Sequence, residues 1–160
     1  MGIQHADRGI ALLRIVVGFW FLKAGFSHLA WTPLPWVSPR WLEFMPKIVG
    51  EHAAKNPFPF VQGFLEQVVL NSPELFAGLS SLGEFAVGLS LTFGLLSVLG
   101  GLGGLSLAVI YGAMTIYSPS SQGFHLVLVA AMLIFIVTRP GRLWGVDMLL
   151  ARIKPHSFLW

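Results

Sequence analysis

Residues 85–138 contain no Asp, Glu, Lys or Arg. Each bilayer crossing needs about 20 predominantly apolar residues, so this one run is long enough for two. The rest of the chain agrees. Of 160 residues 55% are hydrophobic and only 11% charged, and the mean hydropathy is +0.75. That is too little charge to coat a water-facing globule of this size, and the chain reads as an integral membrane protein.

Four spans can be laid out, at about 9–30, 73–96, 98–117 and 123–138, giving a single all-α transmembrane domain over 1–160. The connections near 97–101 and 118–123 are short, so consecutive helices are expected to be antiparallel neighbours in a four-helix bundle. Arg8 followed by an apolar run resembles the start of a secretory signal, but Arg14 and Lys23 interrupt that run and no A-x-A site follows. The first span is therefore read as uncleaved, with a cleaved signal as the lesser alternative.

Spans one and two are separated by an interfacial loop at 31–72. Its opening, WTPLPWVSPRW, has the Trp and Pro content of chain lying at the membrane–water boundary. Further on, FVQGFLEQVV sets Phe60, Val61, Phe64, Leu65 and Val68 on one side at helical spacing, with Gln62, Glu66 and Gln67 facing away. An amphipathic helix is expected there, on the bundle or on the lipid surface. In the tail at 139–160, Leu143, Trp144, Val146, Leu149, Leu150 and Ile153 alternate with Arg142, Asp147, Arg152 and Lys154, which predicts a second surface-lying segment. Arg8, Arg139, Arg142, Arg152 and Lys154 flank one side of the spans, against Arg40, Lys47 and Lys55 in the loop, so both termini are expected in the cytoplasm.

Composition also excludes functions. The net charge of +3 and pI of 9.7 come from dispersed basic residues without a five-residue cluster, which argues against nucleic acid. There is no cysteine, hence no disulfide, thiol nucleophile, iron–sulfur ligation or Cys-type zinc site in this chain. Redox chemistry would require a bound cofactor or a partner.

The few polar residues inside the spans are the informative ones. Arg14, Gly18, Phe21, Gly25 and His28 recur at steps of four and three along one stripe of the first span, and Lys23 points the other way. Ala77, Ser80, Ser81, Glu84 and Gly88 form a stripe on the second span, and Gly104, Ala108 and Gly112 a small-residue seam on the third. These faces are expected inside the bundle. Glu84 lies about 16 Å into its span, near the midplane, where an acidic residue costs about 2.5 to 3.5 kcal/mol. It must face inward and either pair with a cation or stay protonated. Arg14 is the preferred partner and Lys23 the other. One reading makes Glu84 part of a polar pocket for a quinone headgroup or a proton relay; the other makes it an interhelical tie.

His28, near the outer end of span one, and His125, near the outer start of span four, could lie at similar depth, with Tyr111 and Tyr117 in the same region. Structural or aromatic-belt roles compete there with quinone-facing ones. Two histidines without H-x-x-E or H-E-x-x-H spacing make no metal site. GGLGG at 100–104 lacks the preceding strand and following Lys of a phosphate loop, and reads as helix contact.

Three segments resemble the DoxX/DoxD-like membrane proteins: LLRIVVGFWFLKAGFSHL with Arg14, Gly18, Gly25 and His28; GEFAVGLSLTFGLL with Glu84, Gly88, Leu91 and Gly94; and PGRLWGVD at 140–147. The resemblance implies a four-helix membrane bundle, and some relatives are subunits of thiosulfate:quinone oxidoreductase. GLLSVLGG lacks the basic residue that often follows the second-span glycine in the family, and the loop at 31–56 is longer than in the simplest members, resembling the DoxD-like branch.

The expectation is a membrane subunit of a quinone-linked electron-transfer complex, at most an oxidoreductase subunit acting with partners, embedded in the lipid of a bacterial or archaeal cytoplasmic membrane. Arg14, His28, Glu84, Tyr111 and His125 are its candidate polar site, and Gly18, Gly25, Gly88, Gly104 and Gly112 its helix contacts. The alternative is a non-catalytic structural subunit of a respiratory or photosynthetic complex. A transporter is disfavoured by the absence of inverted repeats and broken-helix pairs.

Overall fold

Proline and glycine punctuate the chain where its helices begin and end. In the computed structural model, which describes residues 2–31, 36–155 and 157–159 (side chains from residue 5), prolines occupy the first turns of α2 (Pro39–Lys55), α3 (Pro59–Phe64), α4 (Pro73–Phe93) and α6 (Pro119–Thr138). Proline lacks an N–H that would be unpaired there anyway, and its fixed φ suits the first turn. Residues 32–35 of the Trp- and Pro-rich stretch, and His156, lie outside the described residues.

Among the described residues four helices are long and apolar enough to cross a membrane: α1 (Gly2–His28), α4, α5 (Ser97–Met114) and α6. α1 and α4 form the most extensive helix pair, α5 and α6 the next, and α4 on α5 joins the two. The chain turns from α4 to α5 at 94–96, earlier than expected, with Gly94 and Leu96 both at positive φ. The α5–α6 turn is likewise early, so that Pro119 already begins α6. Phe21, Val87, Leu91, Ala108, Met132 and Phe135 fill the core between these helices. Val16, Phe19, Leu126, Val127 and Val137 point outward, each more than half exposed, as lipid-facing side chains do.

Small residues set the helix spacing. A β-carbon added at Gly18 would strike the backbone of Leu91 and Thr92, one at Gly25 that of Phe85, and one at Gly88 that of Leu22. Gly104 faces Met132 and Gly112 faces the His125 side chain. The α1–α4 contacts also define a stagger: the last turn of α1 stands opposite the middle of α4, and the first turns of α4 project beyond it.

That projection carries a second lobe. β1 (Leu29–Ala30) pairs antiparallel with β2 (Trp36–Val37), Leu29 opposite Val37. β2 leads into α2, whose N-cap Ser38 hydroxyl accepts from Trp41 N. Met45, Val49, Ala53, Leu65, Val69 and Ala77 form its core. The segment expected to be one amphipathic helix is α3 followed by a π-turn, Leu65–Val69. The wider turn shifts the helical phase, burying Leu65 and Val69 and leaving Phe60, Phe64 and Val68 exposed, so the apolar face is not the one read from 3.6-residue spacing.

Candidate functional site

The last turn of α1, the middle of α4 and the end of α5 converge on Glu84. Its Oε2 lies 2.9 Å from His28 Nδ1, and its Oε1 accepts from the Tyr111 hydroxyl at 2.8 Å. Glu84 is buried and the His28 side chain is 21% exposed, so the imidazole is the member of the cluster nearer the surface. Two hydrogen bonds to a carboxylate, at about 1.5 to 3 kcal/mol each, are enough to offset the cost of placing it among apolar helices. α2 closes over this cluster. Its Trp41 indole stacks on the His28 ring at 3.7 Å and 8°, while the Trp41 Nε1 donor is buried with no hydrogen-bond partner among the described residues.

His125 stands beside the cluster without a hydrogen bond to Glu84. Its ring meets the Tyr111 ring edge-on at 6.5 Å, and its Nδ1 donates to the Ser121 carbonyl at 2.7 Å, leaving Nε2 as an acceptor in the neutral ring. The lobe is tied down nearby. His52 Nδ1 lies 2.8 Å from the Tyr117 hydroxyl, and Asn56 Nδ2 donates to the carbonyls of Ala113 and Met114 at the end of α5. Burial holds the His52 pKa below the ordinary histidine value, against the pull of Glu51.

The expected Arg14–Glu84 pair is not formed. Arg14 and His28 share a stripe, but fourteen residues of helix separate them by about 21 Å, so only one can stand at the height of Glu84. The stagger of α1 on α4 selects His28, and for the same reason Glu84 lies midway along α4 but at the end of α1. Lys23 is exposed on the opposite face.

Arg14, wholly buried, belongs to a second constellation at the other end of the bundle. Its Nη2 donates to the Trp144 carbonyl at 3.1 Å, its Nε and Nη1 are buried with no hydrogen-bond partner among the described residues, and Asp147 supplies an opposite charge nearby. Asp147, expected on the polar side of a surface tail, is also wholly buried. Its two oxygens accept from Leu96 N at 2.7 Å and Ser97 N at 2.8 Å, satisfying unpaired donors at the start of α5. Gly94, Gly141 and Gly145 leave the room: a β-carbon at Gly94 would strike the Arg14 guanidinium, and one at Gly141 the Asp147 carboxylate.

Sequence reasoning missed Trp41 and Asp147 as members of these sites. Trp41 lay in a stretch whose aromatics suited the membrane boundary, and Asp147 in an alternating tail. Surface cavities lie elsewhere, among them one of about 600 Å³ around Trp36, Leu42 and the start of α4 and another at the end of α6.

With this geometry in place, comparison with known proteins is decisive for the family. The family model described as TQO small subunit DoxD matches residues 10–157. The chain belongs to the DoxD family. No curated protein and no solved structure matches it significantly. The DoxD match takes in Arg14, His28, Trp41, Glu84, Tyr111, His125 and Asp147, so both constellations lie within the family region. Membership and four apolar helices make the protein a membrane protein related to an oxidoreductase subunit.

Proposed function

We propose that this DoxD protein is the membrane subunit of a quinone-linked electron-transfer complex of the thiosulfate:quinone oxidoreductase type, in a bacterial or archaeal cytoplasmic membrane with both termini cytoplasmic. The observation that carries the reading is the Glu84 carboxyl group bonded on one oxygen to an imidazole and on the other to a phenol, three groups that can each hold or pass a proton. The donor chemistry suits a quinone headgroup, whose carbonyl oxygens accept hydrogen bonds. Trp41 Nε1 is a buried donor with no acceptor among the described residues, on the ring stacked against His28.

His28 and Trp41 would hold such a headgroup, with Glu84 and Tyr111 behind them. A bound quinone supplies two-electron redox chemistry, for which a cysteine-free chain must draw electrons from a partner subunit. The chain's own contribution is positional and protonic. Stacking on Trp41 fixes the His28 ring plane, Tyr111 fixes the Glu84 carboxyl, and the partly exposed imidazole connects that carboxyl to the end of the bundle opposite the termini. With cytoplasmic termini, that is the outer side.

The test uses the complex purified from its native membrane through a tag on this chain, with assembly checked by native mass spectrometry. Glu84→Gln and Tyr111→Phe are each expected to lower quinone reduction by about 100-fold or more, the range for loss of a positioned proton carrier, with assembly intact. Unchanged turnover in intact complexes would overturn the reading in favour of a structural subunit.

A further inference from the structure

The Glu84 cluster is covered as it stands. The Trp41 and His28 rings lie 3.7 Å apart and 8° from parallel. That is contact distance between carbon atoms, so nothing can lie against this face of His28 while Trp41 occupies it. Glu84, behind His28, is buried. We infer, building on the quinone reading, that the N-terminal half of α2, residues 39–45, is a lid: it turns about Pro46 to uncover His28 and closes again with Trp41 over the headgroup.

Three observations carry the inference. The first is a hinge. Pro46 lies inside α2, where it has no N–H to give the Leu42 carbonyl and its ring crowds that carbonyl, so the helix is weakest where its two halves meet.

The second is that the halves are held unequally. Beyond the hinge, Val49 and Ala53 are buried in the core of the lobe, and His52 Nδ1 lies 2.8 Å from the Tyr117 hydroxyl. Asn56, the C-cap, donates to the carbonyls of Ala113 and Met114 at 2.9 and 3.2 Å while its Oδ1 accepts from Phe58 N. Before the hinge, Met45 is buried beside the pivot, but further along a cavity of about 600 Å³ opens between Trp36 and Leu42 on one side and residues 72–75 at the start of α4 on the other. An exposed hydrogen bond, Trp36 Nε1 to Glu74 Oε1 at 3.1 Å, spans it. The far end of the lid joins α1 through the two-residue pairing of β1 with β2 and the Ser38 N to His28 carbonyl bond, a ladder too short to be stable alone.

The third is an unfavourable term borne by the closed position. Trp41 Nε1 is buried there with no acceptor among the described residues, whereas in the open position water supplies one.

The experiment is pulsed electron paramagnetic resonance on the full chain in lipid nanodiscs. The chain has no cysteine, so introduced ones take nitroxide labels uniquely. Arg40→Cys with Ser120→Cys reports on the lid, and Glu51→Cys with Ser120→Cys on the clamped half; all three positions are exposed. Two distances are expected for the lid pair and one for the clamped pair. Pro46→Ala, which restores the missing N–H, is expected to cut the longer-distance fraction at least twofold, Trp41→Ala to raise it at least twofold, and excess decylubiquinone to draw the lid pair to the shorter distance. A single distance for the lid pair, or a clamped pair that moves as far as the lid pair, would overturn the proposal. Two distances that ignore decylubiquinone would overturn the lid's part in quinone access. Should Pro46→Ala or Trp41→Ala not fold, the two label pairs in the otherwise unaltered chain decide. No turnover is read, so the lid can fail while the Glu84→Gln test upholds the quinone reading, and the reverse.

Discussion

Removing the Asp147 carboxylate is the perturbation whose size the structure defines most closely. Asp147 accepts two short backbone hydrogen bonds, from Leu96 N and Ser97 N, and it is the opposite charge acting on the wholly buried Arg14. Two hydrogen bonds to a charged acceptor are worth about 3 to 6 kcal/mol together. Asp147→Ala is therefore expected to destabilise by about 4 kcal/mol, within that range. In a chain of this size that corresponds to roughly 8 to 16 °C in Tm. Asp147→Asn, which keeps one acceptor oxygen, should lose about half as much. Thermal unfolding followed by circular dichroism in a mild detergent measures both. In the double variant with Arg14→Gln, a coupling of about 0.5 to 3 kcal/mol is expected between the sites. An Asp147→Ala protein within about 0.5 kcal/mol of the unaltered chain, the usual scatter of an uninvolved surface position, would refute the reasoning.

Two further outcomes are expected. Gly88→Ala drives a methyl group into the backbone of Leu22 and should cost about 1 to 3 kcal/mol in the same assay, whereas Gly50→Ala, with nothing near the added atom, should be neutral or stabilising. His52 has its pKa depressed in the folded protein, so folding favours its neutral form: its contribution is complete above the ordinary value of about 6.5 and is lost as the pH falls from there through the lowered value. Stability measured from pH 8 to 5 should therefore fall more steeply for the unaltered chain than for His52→Gln, and parallel curves would contradict this.

The spans were legible because a bilayer imposes length and hydropathy on each helix separately, and the inward stripes because helical periodicity is also a property of one helix. Arg14, Gly18, Phe21 and Gly25 are all buried, and so are Ser81, Glu84 and Gly88. Pairing between helices was not legible. It depends on axial stagger, which here is fixed by the contacts of Gly18 with Leu91 and Thr92 and of Gly25 with Phe85, and no single-helix pattern contains it. Hence Glu84 could be placed inside the bundle from sequence while its partner was misassigned. α2 did carry a signal, a Ser38-Pro39 helix start, obscured by the surrounding tryptophans and prolines. The π-turn carried none, since it follows from tertiary packing, and the one sign of Asp147 was its place at the end of the family-like segment PGRLWGVD.

The central claim is that the partners of Glu84 are His28 and Tyr111. Difference infrared spectroscopy of the Glu84 carboxyl vibration, assigned by its disappearance in Glu84→Gln, tests this most directly. The band is expected to shift in Tyr111→Phe and in His28→Ala and to stay in place in Arg14→Gln. A band that moves with Arg14 and ignores the other two would contradict the account.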